Sequence, residues 1–200
     1  MVEAPIRPTD YTAARKAMID SQLRTSGVTA DWAVARMGSV PRENYVPASA
    51  KGVAYVDRAI PLGDGKFLAA PLFHGMMLQE AAPKPGDAAI VVDGGSGYLP
   101  ELLKPLVASL RVLTPEEALV SARGGKKADL LLVDGAIEHV PASLAKRLAD
   151  SGRLVTGLCV NGVTRLATGR KAGQDIALLP LAEIGIPRLP QFDTPKAWSF

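Results

Sequence analysis

The 200-residue chain has a single cysteine, Cys159, so it holds no internal disulfide and no multi-cysteine metal site. Lying in an apolar stretch, that thiol reads as inert core. The chain also lacks any apolar run of membrane-spanning length, and MVEAPIRPTDYTAARK at its start is polar and carries acids. No signal peptide and no spanning segment are expected, and the expected compartment is the cytoplasm. Neither sign of charge dominates. A formal net charge of +3 gives no case for nucleic acid or a membrane surface as partner. There is no internal repeat, no Walker-type phosphate loop and no metal-ligand spacing. What the chain does have is apolar residues, 48% of the total, enough for a sizeable core.

The first part of the chain reads as helices and loops. Thr9 or Asp10 caps a helix running to about Arg24, with Tyr11, Ala14, Met18 and Leu23 on one face and Gly27 as its end. Thr29 is expected to cap a second helix through Trp32 and Met37, closed by Pro41. From Pro41 to Leu62 the prolines and glycines predict loops, with a short strand near Tyr55–Ile60. Gly63-Asp64-Gly65 is a turn signal, and Pro71 opens a helix to Glu80.

Beyond Asp87 the texture changes to buried strands alternating with helices. AAIVV (88–92), SLRVL (109–113), ADLLLVD (128–134) and RLVTGLCV (153–160) read as strands. Tyr98–Val107, Pro115–Arg123 and Pro141–Asp150 read as helices, with Pro105 ending the first one early. Asn161-Gly162 predicts a two-residue hairpin joining VTRLATG (163–169) to the strand before it, and a last strand covers Ile176–Ala182. The pattern predicts an α/β protein with a mostly parallel sheet, helices on both faces and antiparallel strands at the C-terminal end. Residues 1–82 form a helical and loop segment and residues 83–200 the Rossmann-like core.

VVDGGSGYLP (91–100) passes from strand to helix, where glycines let the backbone approach a ligand. Together with DSQLRTSGVTADWAVARMGSVPRENYVP (20–47), AYVDRAIPLGDGKFLAAPLFHGMMLQ (54–79) and VDGAIEHVPASLAKRLADSGRLV (133–155), it resembles the protein-L-isoaspartate O-methyltransferase family. The resemblance runs from about Asp20 to the end, and the segment before the glycine turn is its specific part. It implies a class I methyltransferase fold, S-adenosyl-L-methionine as methyl donor and an isoaspartyl side-chain carboxylate in a protein or peptide as acceptor. The ester formed collapses to a succinimide, so the family reaction serves protein repair.

The resemblance places the cofactor turn at Asp93, Gly94, Gly95, Ser96, Gly97 and Tyr98. The family pattern there is acid-x-Gly-x-Gly-Ser-Gly-Tyr. Gly95 and Gly97 match, while Val91 stands at the acid and Asp93 at the first glycine. The ribose-binding acid that normally ends the second strand falls at Thr114, with Glu116 the nearest carboxylate able to swing in and Glu117 beside it. In the acceptor segment the family serine becomes Ala69, and His74 is the surviving candidate for catalysis. The interval from Thr114 to Lys127 holds one helix and no further strand, so one strand–helix unit of the family is missing.

These departures predict weak or lost activity, the alternative being a pseudo-methyltransferase that acts as a protein-binding or scaffold subunit. An uncovered strand edge also predicts a homodimer or a protein partner. Asp134, Glu138 and His139 form a polar cluster at the carboxyl edge of the sheet, and the basic run Arg123-Gly-Gly-Lys-Lys127 is a solvated loop able to touch an acidic partner.

Overall fold

A computed structural model describes residues 10–121, 124–173 and 175–195. Thr9 and Arg123, named above, lie outside them. Asp10 caps α1 (Tyr11–Met18), its carboxylate accepting the Thr12 and Ala13 amides at 3.0 Å. The helix widens into a π turn at Ile19–Leu23 and tightens over Arg24–Ser26. Gly27, at φ 91°, stops it. The second helix, α2 (Asp31–Ser39), is not capped by Thr29. It has no side-chain cap; the side-chain oxygen of Gln79 instead accepts the Thr29 and Ala30 amides at 2.8 and 2.9 Å, which ties the approach to α2 to another helix. The expected strand near Tyr55 starts later. β1 (Ile60–Gly63) and β2 (Lys66–Leu68) form a small hairpin about Asp64, and Tyr55 is instead held by Arg15 and Glu43. α3 (Pro71–Ala81) follows.

The core sheet contains β3 (Ala88–Val92), β4 (Ser109–Leu113), β5 (Ala128–Ile137), β6 (Leu148–Val160), β7 (Val163–Ala172) and β8 (Asp175–Glu183), in the order β4-β3-β5-β6-β7-β8. β4, β3, β5 and β6 run parallel, and β6, β7 and β8 form the antiparallel end. Asn161 and Gly162, with φ of 52° and 81°, make the tight turn between β6 and β7. Between β3 and β4 lies α4 (Tyr98–Leu103), which slackens at Lys104–Leu106 around Pro105. α5 (Pro115–Leu119) is a short helix after β4. Among the described residues no strand lies between Leu113 and Ala128, and β4 is an edge of the sheet. The helix expected over Pro141–Asp150 shrinks to one turn, α6 (Ala142–Ala145), because β6 begins already at Leu148.

Alternation along the buried strands divides the core in two. Ala89, Val91, Leu130 and Leu132 face α1 to α4 and carry Met18, Leu23, Met37, Phe73 and Tyr98 on them. Ile90, Val92, Leu131 and Val133 face the opposite layer, with Ala118, Leu144, Leu189 and Phe192. The first cluster draws residues from both sides of position 83. Cys159 is 3% exposed within it. The order of strands makes β3 the switch point, with β4 to one side and β5 to the other. Open parallel sheets place a ligand crevice at the carboxyl ends of such strands.

Candidate functional site

The turn after β3 is tied down by its own side chains. Asp93 folds back, and its carboxylate accepts the Gly95 amide at 3.1 Å and the Gly97 amide at 3.1 and 3.2 Å. Burial, and then the charge of Asp134, push the Asp93 carboxyl above the usual aspartate range, with the two amides opposing. Ser96 Oγ accepts the Tyr98 amide at 3.1 Å, a local turn bond. Gly94 has no room for a side chain, because a Cβ there would run into the Asp134 carbonyl. A Cβ on Gly95 (φ 106°) would meet the Lys66 side chain at 2.6 Å. Close approach is thus required at these glycines by the protein itself.

A cleft of about 410 Å³ opens beside the turn. Asp93, Gly94, Gly95 and Glu116 of the sequence-derived candidates line it, together with Lys66 and Thr114. Ser96, Gly97, Tyr98 and His74 do not. Tyr98 is fully buried, edge-on to Tyr45 with ring centroids 5.1 Å apart. Thr114 is the N-cap of α5 in a reciprocal capping box. Its hydroxyl accepts the Glu117 amide at 3.2 Å, and Glu117 accepts the Thr114 amide at 2.9 Å. Glu116 projects into solvent and accepts a hydrogen bond from the Gln191 side chain at 2.8 Å. Its own backbone amide and then Gln191 hold its carboxyl below the usual glutamate range.

The far wall comes from a segment that carries no sequence signal for that place. Residues 187–191 cross the carboxyl end of β5, with Ala136 donating to Pro187 O (2.7 Å) and Leu189 donating to Ala136 O (2.9 Å). Arg188 pairs with Glu138 and Asp193, each at 2.7 Å. The expected polar cluster of Asp134, Glu138 and His139 is split: Glu138, paired with Arg188, and His139 line a separate hollow, while Asp134 turns inward.

Asp134 turns to His74. His74 is fully buried, and its Nε2 lies 2.9 Å from Asp134 Oδ1. On the other side of the ring Arg42 Nη1 lies 3.2 Å from Nδ1. An arginine can only donate, so Nδ1 accepts and Nε2–H donates to Asp134. Arg42 is itself fully buried. It donates to the Ala54 and Ala69 carbonyls at 2.9 and 2.7 Å and lies 4.8 Å over the Tyr98 ring. Desolvation pulls its guanidinium below the usual arginine range. Among the described residues Asp134 Oδ2 is buried without a hydrogen-bond partner. Arg42 gave no sequence signal, because a lone arginine on an irregular turn belongs to no periodic pattern. Ala69 shows only its carbonyl to this chain of groups, and its side chain carries no hydroxyl.

On the outer side of the crossing segment lies a second cleft of about 550 Å³, with Arg58 and Asp57 at one end and Phe67, Leu72 and Ile186 among its walls.

This arrangement, a crevice at the switch point of a parallel sheet with an antiparallel end, defines a methyltransferase-type α/β protein. Residues 13–117 match the family model "Protein-L-isoaspartate(D-aspartate) O-methyltransferase (PCMT)". A protein-L-isoaspartate O-methyltransferase of Roseiflexus castenholzii is 30% identical over 170 residues, covering 73% of this chain and 78% of that protein. One from Aeropyrum pernix is 44% identical over 98 residues, 48% of this chain and 37% of that protein. Among solved structures, a Plasmodium falciparum protein described as a putative member, in complex with S-adenosyl-L-homocysteine, superimposes with a TM-score of 0.68 at 18% identity. It covers 92% of this chain and all of that one. A further protein-L-isoaspartate O-methyltransferase gives 0.69 at 14% identity, covering 88% and 65%. The chain belongs to the protein-L-isoaspartate O-methyltransferase family.

Proposed function

We propose that this protein is an isoaspartyl methyltransferase homologue whose donor crevice takes S-adenosylmethionine weakly or not at all, so that methylation of isoaspartyl carboxylates is weak or lost. Membership of the family supplies S-adenosylmethionine as the donor and an isoaspartyl protein or peptide as the acceptor, and a cytoplasmic setting is part of the proposal. The observation that carries it is the Asp93 carboxylate on the Gly95 and Gly97 amides. A carboxylate–amide hydrogen bond contributes roughly 1.5–3 kcal/mol. A ligand needing those amides has to displace an intramolecular partner first.

The rest of the crevice fits the cofactor no better. Thr114 is spent on its helix cap, which leaves no carboxylate at the place where a ribose diol is usually held. Glu116 is tethered to Gln191. On the acceptor side Ala69 offers no hydroxyl, and His74, the sequence-derived catalytic candidate, has both ring nitrogens engaged and no exposed surface. A general base has to reach its substrate. His74 is better placed to hold Arg42 and Asp134 together than to move a proton.

The experiment is calorimetric titration with S-adenosylmethionine and S-adenosylhomocysteine, followed by tritium transfer to an isoaspartyl peptide. No saturable heat and no transfer above background are expected. Micromolar affinity with turnover that is lost on Gly95→Val would overturn the reading. The second reading, a protein-binding subunit, draws support from the bare β4 edge, which leaves backbone groups and apolar side chains open to a partner.

A further inference from the structure

Among the described residues β4 has one ladder partner, β3, so the outer side of Ser109–Leu113 offers backbone amides and carbonyls to no strand. The surface around this edge is apolar for its position. Val112 on the strand is 46% exposed, and Leu119 and Val120 just after it are 42% and 65% exposed. An uncovered strand edge with apolar neighbours is a ready template for pairing.

The charges around the edge are sorted by position. Alternation puts Arg111 on the face that carries α5. There it lies near enough to Arg147 that, after burial, its charge helps hold Arg147 below the usual arginine range. Beyond the carboxyl end of the same strand stand Glu116 and Glu117. Among the described residues none of these four groups forms a salt bridge. The strand itself thus carries one cation, Arg111, and acids stand past its end on the same face, Glu117 lying close enough to Arg147 of its own chain to oppose that lowering.

We infer that a second copy of this chain pairs antiparallel with β4 about a two-fold axis through Val112, joining the two sheets. Antiparallel pairing brings the acidic end of one strand to Arg111 of the other. With Val112 on the axis, Arg111 falls opposite Leu113 of the second copy, next to that copy's Glu116 and Glu117. An axis through Arg111 would instead set like charges face to face, which is destabilising. Pro115, with no amide hydrogen, ends the ladder cleanly. Val112, Leu113 and Thr114 line one wall of the 410 Å³ cleft, so the second copy stands behind that wall, where the interval between β4 and β5 is short. The inference does not depend on whether the crevice takes S-adenosylmethionine, and its test needs no cofactor.

The test is light scattering on the full chain. The wild type is expected to be a dimer, and Val112→Lys a monomer with an unchanged circular dichroism spectrum. Leu179→Lys, on β8 at the opposite edge and 62% exposed, is expected to remain a dimer. Val112→Cys should form an intermolecular disulfide on mild oxidation, because two copies of position 112 meet on the axis. The native Cys159 is buried and should stay silent. A wild type that is monomeric at high concentration, a dimer that survives Val112→Lys, or one that is lost with Leu179→Lys would each overturn the inference.

Discussion

His74 Nε2 donates to Asp134 Oδ1 across 2.9 Å, joining α3 to the carboxyl end of β5. With Arg42 on the other ring nitrogen, an ion pair is bridged by a neutral imidazole, and both of its charges are out of water. Removing one partner of a buried pair leaves the other uncompensated, at a cost of about 3–5 kcal/mol. Asp134→Ala is therefore expected to lower the unfolding free energy by about that amount in urea. Asp134→Asn, which keeps an oxygen for the Nε2–H, should lose less. Equal losses for the two variants would show that the hydrogen bond to the Nε2–H adds nothing beyond the charge of Asp134.

Stability should also report on Asp93. Its carboxyl is pushed up in the folded protein, by burial first and Asp134 second, and returns to the ordinary range on unfolding. Between those two values the native state keeps a proton that the unfolded chain has lost. Its contribution to stability is therefore largest below the ordinary aspartate range and falls as pH rises through the window. Urea midpoints measured across that window for the wild type and Asp93→Asn should differ in slope, the variant being flatter. Parallel curves would refute the shift.

Asp93→Gly should do the opposite of damage to ligand binding. It removes the carboxylate from the Gly95 and Gly97 amides and places a glycine where the family has one. Calorimetry with S-adenosylhomocysteine should show binding by the variant at least about tenfold tighter than the detection limit that the wild type fails to reach, the equivalent of about 1.4 kcal/mol. If neither protein binds, the block lies elsewhere in the crevice.

Gln79 holds the approach to a helix to which it does not belong. Gln79→Ala strips two amides at the start of α2 of their acceptor and frees the Gly27 carbonyl, which the same side chain reaches at 3.0 Å. A loss of about 1 kcal/mol is expected, as for other lost side-chain–backbone hydrogen bonds, with the midpoint of thermal unfolding as the measure. Thr29→Ala should be near neutral.

Much of the fold was legible because its signals are local. AAIVV is apolar throughout since both faces are covered, and Asn161-Gly162 supplies the two positive φ angles that a hairpin needs. Pro105 ended α4 where expected. What misled was extent. Residues 148–152 carry no strand pattern of their own, yet they join β6 through pairing of Leu148 with Ala128. The candidate crevice was legible by position, at Asp93 to Gly95 and Glu116, because a strand–glycine–helix passage marks it. The partners of those residues were not. Lys66 over Gly95, Leu189 against Gly135 and Arg42 against His74 are contacts between distant stretches of chain, and no spacing records them.

The shared core has a consequence for how the chain comes into being. Met18, Leu23, Met37 and Phe73 are covered by strands that begin at Ala88 and continue through β5 and β6. Synthesis delivers the apolar faces of α1 to α3 long before the surface they rest on. A chain stopped at residue 82 has nothing to lay those faces against, and one begun at residue 83 leaves one side of the sheet bare. Neither half is expected to fold by itself. In the cell the emerging first half has to be kept from aggregating until the sheet arrives, a waiting time set by translation and not by any property of the finished site.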